Sequence, residues 1–244
     1  MKLSTSFTDI SPGDVIAVGD VHGRYDLLDA LLDKLRGSEA TVILLGDMID
    51  RGGQDIQVLE RVKKLLDDPE SEGFSNFFAL LGNHEQMFID AAKGPAQELY
   101  LWLQNGGNFE QFGEMQEHLP WIEGLPIYMT LGETMFIHAG FYPGVDPLKT
   151  INRGGADTIV WMREPFLSQG PQFEKWNPNL KQVVFGHTPK MPNDAGVGQP
   201  YTIPGGGVCI DSGAYFTGVL TAYNVTKNVY YQTTLEHEKE TANR

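Results

Sequence analysis

The sequence contains a single cysteine, Cys209, among 244 residues, so no disulfide can form within the chain. It also lacks any run of about 18 apolar residues, the length that a membrane-spanning helix needs. The first residues, Met1 to Ser4, lack the apolar stretch of a secretory signal. These absences predict a cytoplasmic protein without a membrane partner, in which Cys209 is a small buried hydrophobic residue rather than a nucleophile.

Positive charge is also scarce, since 18 lysines and arginines face 32 aspartates and glutamates and the net charge is −14. Nucleic-acid binders usually carry basic patches, so we expect no nucleic-acid partner. An acidic surface by itself favours solubility. Carboxylates gathered around a cation site would contribute to the same excess.

The first half of the chain alternates between short apolar runs and segments whose leucines recur at helical spacing. This alternation predicts βαβ units and a mostly parallel sheet, within a chain whose length fits one α/β domain. The predicted strands are residues 15–18, 42–45 and 77–81. Two predicted helices carry apolar positions over 27–35 and 56–66. A further helical segment is predicted over about 84–118, with an interruption at 105–107.

Strand-like runs predominate from residue 127 onward, and helical signal there is confined to residues 156–163. We expect this half to form the second sheet of a sandwich, from residues 127–130, 134–138, 182–186, 208–211, 219–225 and 228–233. Residues 193–207 are rich in glycine and proline and should form a surface loop, and residues 236–244 a frayed tail. The helical spacing of Trp102, Phe109 and Phe112 predicts core positions. His118 and His237 are expected on the surface.

Short polar loops follow five of the predicted strands. They contain Gly19-Asp20-Val21-His22-Gly23, Gly46-Asp47-Met48-Ile49-Asp50-Arg51-Gly52, Gly82-Asn83-His84-Glu85, His138-Ala139-Gly140 and Gly186-His187-Thr188. Ligands of open α/β sheets bind beyond the carboxyl ends of the strands, so these loops should meet. Aspartate and histidine are ligands for divalent metals, and the two oxygens of Asp47 can bridge two ions. Water would complete both coordination spheres, as in catalytic sites.

Each of these loops has an ordinary explanation when taken singly. A Gly-Asp pair at a strand end is often a turn or a helix cap, and one histidine after a strand is usually a satisfied polar residue. Five such loops hold four of the six histidines of the chain. Chance placement of ordinary turns does not account for that concentration, so the sequence predicts a metal site.

These motifs and their order resemble the calcineurin-like metallophosphoesterases, and within them the serine/threonine phosphoprotein phosphatases of the bacterial and phage lambda type. The resemblance covers residues 14–225, the core of a single domain spanning 1–244, and includes further matches at residues 103–107, 161–164, 185–189 and 210–214. It implies an α/β fold, a metallophosphoesterase β-sandwich of two mixed sheets flanked by helices, with a dimetal site at the carboxyl ends of the strands. The implied cofactors are two divalent ions, manganese in vitro, with iron or zinc as alternatives.

The resemblance also implies a role for each matching residue. One ion would be held by Asp20, His22 and Asp47, and the other by Asp47, Asn83, His138 and His187. Arg51 and Arg163 would bind the phosphate, and His84, oriented by Asp50, would be the general acid. A hydroxide bridging the two ions would attack phosphorus in line, and His84 would protonate the leaving alkoxide.

Three functions stay open at this point. The leading one is a serine/threonine phosphoprotein phosphatase that hydrolyses phosphate monoesters. The second is a dinucleoside tetraphosphatase or another small-molecule phosphatase, whose members usually lack the equivalent of Asp50 and carry aspartate in place of Glu85. The third is a non-catalytic phosphate-binding regulatory module, against which the intact set of ligands, arginines and acid argues.

Overall fold

The computed structural model describes residues 1–3 and 10–234, so the predicted tail at 236–244 and His237 lie outside the described residues. The strands are β1 (Lys2–Leu3), β2 (Val15–Val18), β3 (Thr41–Leu44), β4 (Asn76–Ala79), β5 (Tyr128–Leu131), β6 (Thr134–Ile137), β7 (Gln182–Phe185), β8 (Tyr201–Ile203), β9 (Gly207–Cys209), β10 (Val219–Asn224) and β11 (Val229–Thr234). The α-helices are α1 (Tyr25–Leu35), α2 (Asp55–Asp67), α3 (Asn83–Lys93), α4 (Ala96–Gln104), α5 (Phe109–Met115), α6 (Leu119–Ile122), α7 (Pro147–Gly154), α8 (Asp157–Val160), α9 (Phe166–Gln169) and α10 (Ala214–Thr217).

The strands form two mixed sheets, as the resemblance implied. The first sheet has the order β1-β11-β10-β2-β3-β4, with β2, β3 and β4 parallel. The second has the order β5-β6-β7-β9-β8, with β6, β7 and β9 parallel. Parallel neighbours point their carboxyl ends to one edge, which is where both sheets deliver their polar loops.

Successive side chains of a strand point to opposite faces of its sheet, and the core accordingly consists of three clusters. Ala17 and Ile43 of the first sheet pack between the sheets against Phe136, Val184 and Val208 of the second. On the outer face of the first sheet lie α1 and α2, whose buried leucines each contribute about 1.5–3 kcal/mol. The third cluster lies on the outer face of the second sheet, with apolar residues of α8 and α9.

The assignment of the last two strands to the second sheet was wrong. Strand β10 pairs antiparallel with β2, placing Ala222 opposite Val18, and β11 continues the first sheet beyond it. Both strands carry the β-branched and aromatic residues that a second-sheet strand would carry. Such residues indicate a strand but not the sheet that it joins, so the sequence alone did not distinguish the two.

Several smaller expectations also changed. The predicted loop at 193–207 contains β8, which pairs antiparallel with β9 and forms the edge of the second sheet. The helix predicted over 156–163 is limited to α8, whereas α7 was not predicted. Trp102 is fully buried as predicted, but Phe109 is 62 % exposed, because α5 turns that side chain outward. His118 is half-buried and accepts a hydrogen bond from the Trp121 indole at 3.1 Å.

The structure also bears on the predictions for Cys209 and for membrane-spanning helices. Cys209 is fully buried, and burial raises the pKa of its thiol, which agrees with an unreactive core residue. Over the described ranges, the helices are too short or too polar to cross a bilayer.

Candidate metal centre and active site

The register of the two sheets brings the polar loops together. Val18, Leu44 and Ala79 are aligned across β2, β3 and β4, so the loops carrying Asp20, Asp47 and Asn83 begin at one level. In the second sheet, β6 and β7 end at the same level and lead into His138 and His187. All six predicted ligands are at least 95 % buried.

Two groups of side chains offer ligand atoms that lie within 4.8 Å of one another, in the part of the chain that the structure describes. The first group is His22, Asp47 and His84, and the second is Asp47, His138 and His187. Asp47 belongs to both groups, with Oδ2 at 3.5 Å from His22 Nε2 and Oδ1 at 3.3 Å from His138 Nε2. The two oxygens of one carboxylate therefore face two adjacent positions.

Two imidazoles have a tautomer that leaves a lone pair in the site. His22 Nδ1 is 3.1 Å from the Ile49 carbonyl, and His138 Nδ1 is 2.9 Å from the Leu45 carbonyl. A carbonyl only accepts, so each Nδ1 carries the proton and each Nε2 carries a lone pair. This backbone support is the usual outer contact of metal-binding histidines.

The lone pair of His138 faces another acceptor. Asn83 Oδ1 lies 2.9 Å from His138 Nε2 and 2.8 Å from His187 Nδ1. In the neutral form of His138, its contact with Asn83 places two lone pairs against each other, so either a proton, which Asp47 favours by raising the pKa of His138, or a metal cation has to lie between them. Among the described residues, Nε2 of His84 and Nε2 of His187 are buried without a hydrogen-bond partner. This donor set fits divalent cations.

The buried carboxylates also favour a site for divalent cations. Burial, together with the neighbouring Asp211 and Asp47, raises the pKa of Asp20 well above its usual range. Burial also opposes ionisation of Asp47, but His138 and His84 hold its pKa well below the usual range. Several carboxylates are thus confined in a small volume, where bound cations would offset their mutual repulsion.

Asp20 is held differently from the other predicted ligands. Its carboxylate accepts the backbone N–H of His187, with distances of 3.2 Å to Oδ1 and 3.0 Å to Oδ2. A side chain at Gly186 would overlap Asp20 Oδ1, so only glycine allows this approach. Asp20 lies outside both ligand groups described above, and its role as a ligand stays a prediction.

The backbone of the site is strained. Eight non-glycine residues in the described ranges have positive φ, and five of them belong to the site. These five are His22 (49°), Asp47 (49°), Asp50 (72°), Arg51 (71°) and His187 (65°). Side chains disfavour this conformation, and residues held in it cluster at functional sites.

His84 and Asp50 form a buried pair beside the ligand groups. His84 Nδ1 donates to Asp50 Oδ2 at 2.6 Å, and Asp50 in turn accepts the Trp102 indole N–H at 3.0 Å. His84 Nε2 points toward Asp47, with 4.0 Å between Nε2 and Oδ2. The structure therefore brings together His84 and Asp50, and their roles as acid and orienting carboxylate stay predictions.

Arg51 and Arg163 line one cavity of about 200 Å³ that also reaches Asp47, Asn83 and His187. The Arg51 guanidinium donates a hydrogen bond to the lone pair of His22 Nε2, at 2.8 Å. It also lies 4.8 Å from the centre of the Tyr215 ring, as in a cation–π contact. Arg163 Nη2 lies 3.4 Å from the His187 carbonyl. The cavity thus has two cationic side chains next to the candidate ligands, a suitable arrangement for a phosphate group.

Three residues contribute contacts to the site that the sequence did not predict. Glu85 accepts backbone N–H groups from two loops, Trp102 binds Asp50, and Asp211 lies against Asp20. Trp102 looks like an ordinary core residue at helical spacing. Its position three residues before the Asn105-Gly106-Gly107 motif is the signal that links it to the site.

A two-sheet sandwich with histidine, aspartate and arginine side chains at the strand ends defines a metal-dependent hydrolase of phosphate esters. Residues 13–191, more than half of the chain, match the family model for calcineurin-like phosphoesterases. The protein belongs to the calcineurin-like phosphoesterase family.

Known relatives differ in their named substrates. The chain is 27 % identical to serine/threonine-protein phosphatase 1 of Salmonella typhimurium over 221 residues, 85 % of this chain and 89 % of that protein. It is 29 % identical to the symmetrical bis(5'-nucleosyl)-tetraphosphatase of Dechloromonas aromatica, over 52 % of this chain and 44 % of that protein. A cold-active protein-tyrosine phosphatase from a psychrophilic Shewanella species has a similar fold, with a TM-score of 0.60, 20 % identity, and coverage of 92 % and 81 % of the two chains.

Proposed function

We propose that this protein is a metal-dependent phosphoprotein phosphatase that hydrolyses phosphoserine and phosphothreonine monoesters. The observation that carries the proposal is the position of Asp47, which faces two groups of candidate ligands in the cavity that Arg51 and Arg163 line. The residues that we propose for binding phosphate and metal therefore lie next to one another.

We assign two divalent ions to the six predicted ligands, with Asp47 shared. The ions would supply Lewis acidity and acidify water near the phosphorus. The residues that would hold them are Asp20, His22, Asp47, Asn83, His138 and His187. Arg51 and Arg163 would bind the phosphoryl oxygens and stabilise the negative charge that spreads over them in the transition state.

His84 would protonate the leaving oxygen. Burial and the nearby Arg51 lower the pKa of His84, whereas Asp47 raises it. Together these effects lower the pKa to about 4 in the free protein. A phosphate dianion held by Arg51 would offset the charge of that arginine and favour the protonated imidazole. Asp50 would keep the proton of Nδ1 in place, so that Nε2 faces the substrate.

Two observations favour a phosphoprotein over a dinucleotide. The match to serine/threonine-protein phosphatase 1 extends over 89 % of that protein, whereas the matches to symmetrical tetraphosphatases extend over 44–60 % of those proteins. The cavity of about 200 Å³ is smaller than the roughly 300–1,000 Å³ typical of sites that enclose a whole ligand. It suits one phosphoryl group presented by a larger molecule.

The test is a panel of substrates offered to the manganese-loaded protein. Phosphoserine, phosphothreonine and phosphotyrosine peptides are compared with diadenosine tetraphosphate by kcat/KM. We expect the phosphoserine and phosphothreonine peptides to have the highest values. A preference for diadenosine tetraphosphate would support the alternative enzyme, and inactivity on all four would support a non-catalytic module.

A contaminating phosphatase is the main source of false activity in this panel. An Asp47→Asn preparation, purified in the same way and checked for folding by circular dichroism, is the matched control because the substitution weakens both candidate metal positions. Activity that survives unchanged in this variant would not belong to the protein.

A further inference from the structure

The indole of Trp102 is fixed against the acid pair. Its Nε1–H lies 3.0 Å from both oxygens of Asp50, and Asp50 Oδ2 lies 2.6 Å from His84 Nδ1. All three side chains are fully buried. The three groups therefore form one hydrogen-bonded chain without solvent.

We infer that Trp102 is a positioning residue, which holds the Asp50 carboxylate in the plane that orients His84 as the acid. This inference rests on the proposed function of His84. A hydrogen bond from His84 to one oxygen leaves the carboxylate free to rotate about its Cβ–Cγ bond. A second donor shared between both oxygens removes that freedom.

Trp102 also favours the charged form of Asp50. Burial raises the pKa of Asp50, and the nearby Asp55 and Asp47 raise it further, whereas the indole N–H lowers it. A charged Asp50 attracts the protonated imidazole that the acid step requires. The contact thus has an electrostatic effect in addition to its geometric one.

The surroundings of Trp102 are shaped to hold the indole. The Phe112 ring centre lies 5.2 Å from that of Trp102, and the Phe88 ring centre lies 5.9 Å away. Gly107 packs so closely that any side chain there would overlap the indole. The turn after α4 therefore requires glycine at this position in order to admit Trp102.

The same turn supports the phosphate side of the site. The Gly106 carbonyl accepts the backbone N–H of Arg51 at 3.0 Å. A side chain at Gly106 would press on the Arg51 Cγ atom. One turn thus positions both the candidate acid, through Trp102 and Asp50, and the candidate phosphate ligand.

A purely structural role makes a different prediction from a positioning role. If Trp102 only fills space, Trp102→Phe changes packing but affects all substrates alike. If it orients the acid, the loss depends on how much the leaving group needs a proton. Alkoxide from phosphoserine is a strong base and needs one, whereas nitrophenolate is a weak base and needs one far less.

The experiment compares the manganese-loaded wild type with Trp102→Phe under single-turnover conditions, on a phosphoserine peptide and on p-nitrophenyl phosphate. We expect the rate on the peptide to fall by roughly 10–100-fold, the usual effect of removing an orienting partner. The rate on nitrophenyl phosphate should fall much less, and metal content should stay unchanged. Equal losses on both substrates, or no loss on either, would overturn the inference.

Phe112→Leu is the matched control, because Phe112 packs on the indole and its side chain has no hydrogen-bonding group to offer Asp50. Its effect should be the same on both substrates. When Asp50 is already replaced by Asn, adding Trp102→Phe should have little further effect on the rate, because both substitutions disrupt the same function, the orientation of His84. Losses that simply multiply would contradict a shared role.

Two further measurements distinguish a failure of the proposed His84 role from a failure of the inference about Trp102. His84→Asn is assayed in parallel: a loss that is equal on both substrates would remove His84 from the acid role and the proposed mechanism with it. A selective loss in His84→Asn without one in Trp102→Phe would overturn this inference alone. If Trp102→Phe does not fold, the indole N–H resonance of Trp102 is followed in Asp50→Asn, where an unchanged shift would overturn the inference.

Discussion

The carboxylate of Glu85 lies 2.8 Å from the backbone nitrogen of Asp47, and it thereby joins two of the loops that form the site. The same carboxylate accepts the N–H groups of Met48 at 2.7 Å and Gly82 at 2.9 Å. Asp47 has a φ of 49°, a conformation that side chains disfavour and that needs outside support. Glu85 therefore stabilises the turn that presents the shared candidate ligand.

Glu85→Gln should weaken both the fold and the metal site. The amide nitrogen of glutamine would face backbone N–H groups that need an acceptor, at about 1–3 kcal/mol for each unsatisfied group. We expect a lower melting temperature and fewer than two metal ions per chain, measured by thermal unfolding and elemental analysis. Glu110→Gln, on the exposed surface of α5, is the control. A Glu85→Gln protein as stable and as metal-rich as this control would contradict the argument.

Asp47→Asn should remove more metal than any other single ligand substitution. Asp47 belongs to both ligand groups, whereas His187 belongs to one. We expect His187→Asn to retain one ion more firmly than the other, and Asp47→Asn to bind both weakly, as measured by metal titration with competing chelator. Retention of two tightly bound ions in Asp47→Asn would show that this residue is not shared.

Arg51→Ala should impair substrate binding and catalysis together. Arginine holds phosphate in both the ground state and the transition state, so KM should rise and kcat should fall. We expect kcat/KM to fall by roughly 10²–10³-fold, with metal content still near that of the wild type. Arg36→Ala, at an exposed arginine paired with Asp33, is the control. A loss of metal in Arg51→Ala would instead assign the residue a structural role, through its contact with His22.

Glu72→Gln should destabilise the fold at neutral pH but not in acid. Arg61 donates two hydrogen bonds to Glu72, and this contact holds the pKa of Glu72 at about 2, against an ordinary 4.5. The stabilisation is therefore complete above pH 4.5 and is lost as the pH falls through 2. The difference from the wild type at pH 7 should reach at most about 3 kcal/mol.

Urea unfolding of Glu72→Gln and of the wild type between pH 7 and about pH 2, through the lowered pKa of Glu72, measures this difference. Glu70→Gln is the control, since Glu70 lies in the same short helix, Pro69–Glu72, but is exposed. A difference that stays constant as the pH falls would mean that the salt bridge to Arg61 does not account for the stabilisation.

Much of the fold follows from the local pattern of the sequence. The apolar runs at β2, β3 and β4 and the leucines of α1 and α2 are strong periodic signals, and the structure has these elements there. The polar loops after them were recognised because each begins where an apolar run ends. Local patterns of this kind depend on neighbouring residues along the chain, which a sequence displays directly.

Other features depended on contacts between distant residues. Phe109 and Trp102 have similar spacing within helical segments, yet one is exposed and the other buried, because the orientation of α5 depends on its packing. The position of Glu85 among four backbone N–H groups arises only when two loops meet. No pattern within either loop indicates this contact.

The sequence by itself determined β2, β3, β4, α1 and α2, the buried Cys209 and the set of residues gathered at the strand ends. Only the tertiary structure decided that β10 and β11 return to the first sheet, that Asp20 accepts the N–H of His187, and that Trp102 binds Asp50. The physical reason is that residue type and periodicity specify what a side chain can do and which face it occupies. Its partners are chosen by packing between elements that lie far apart in the chain.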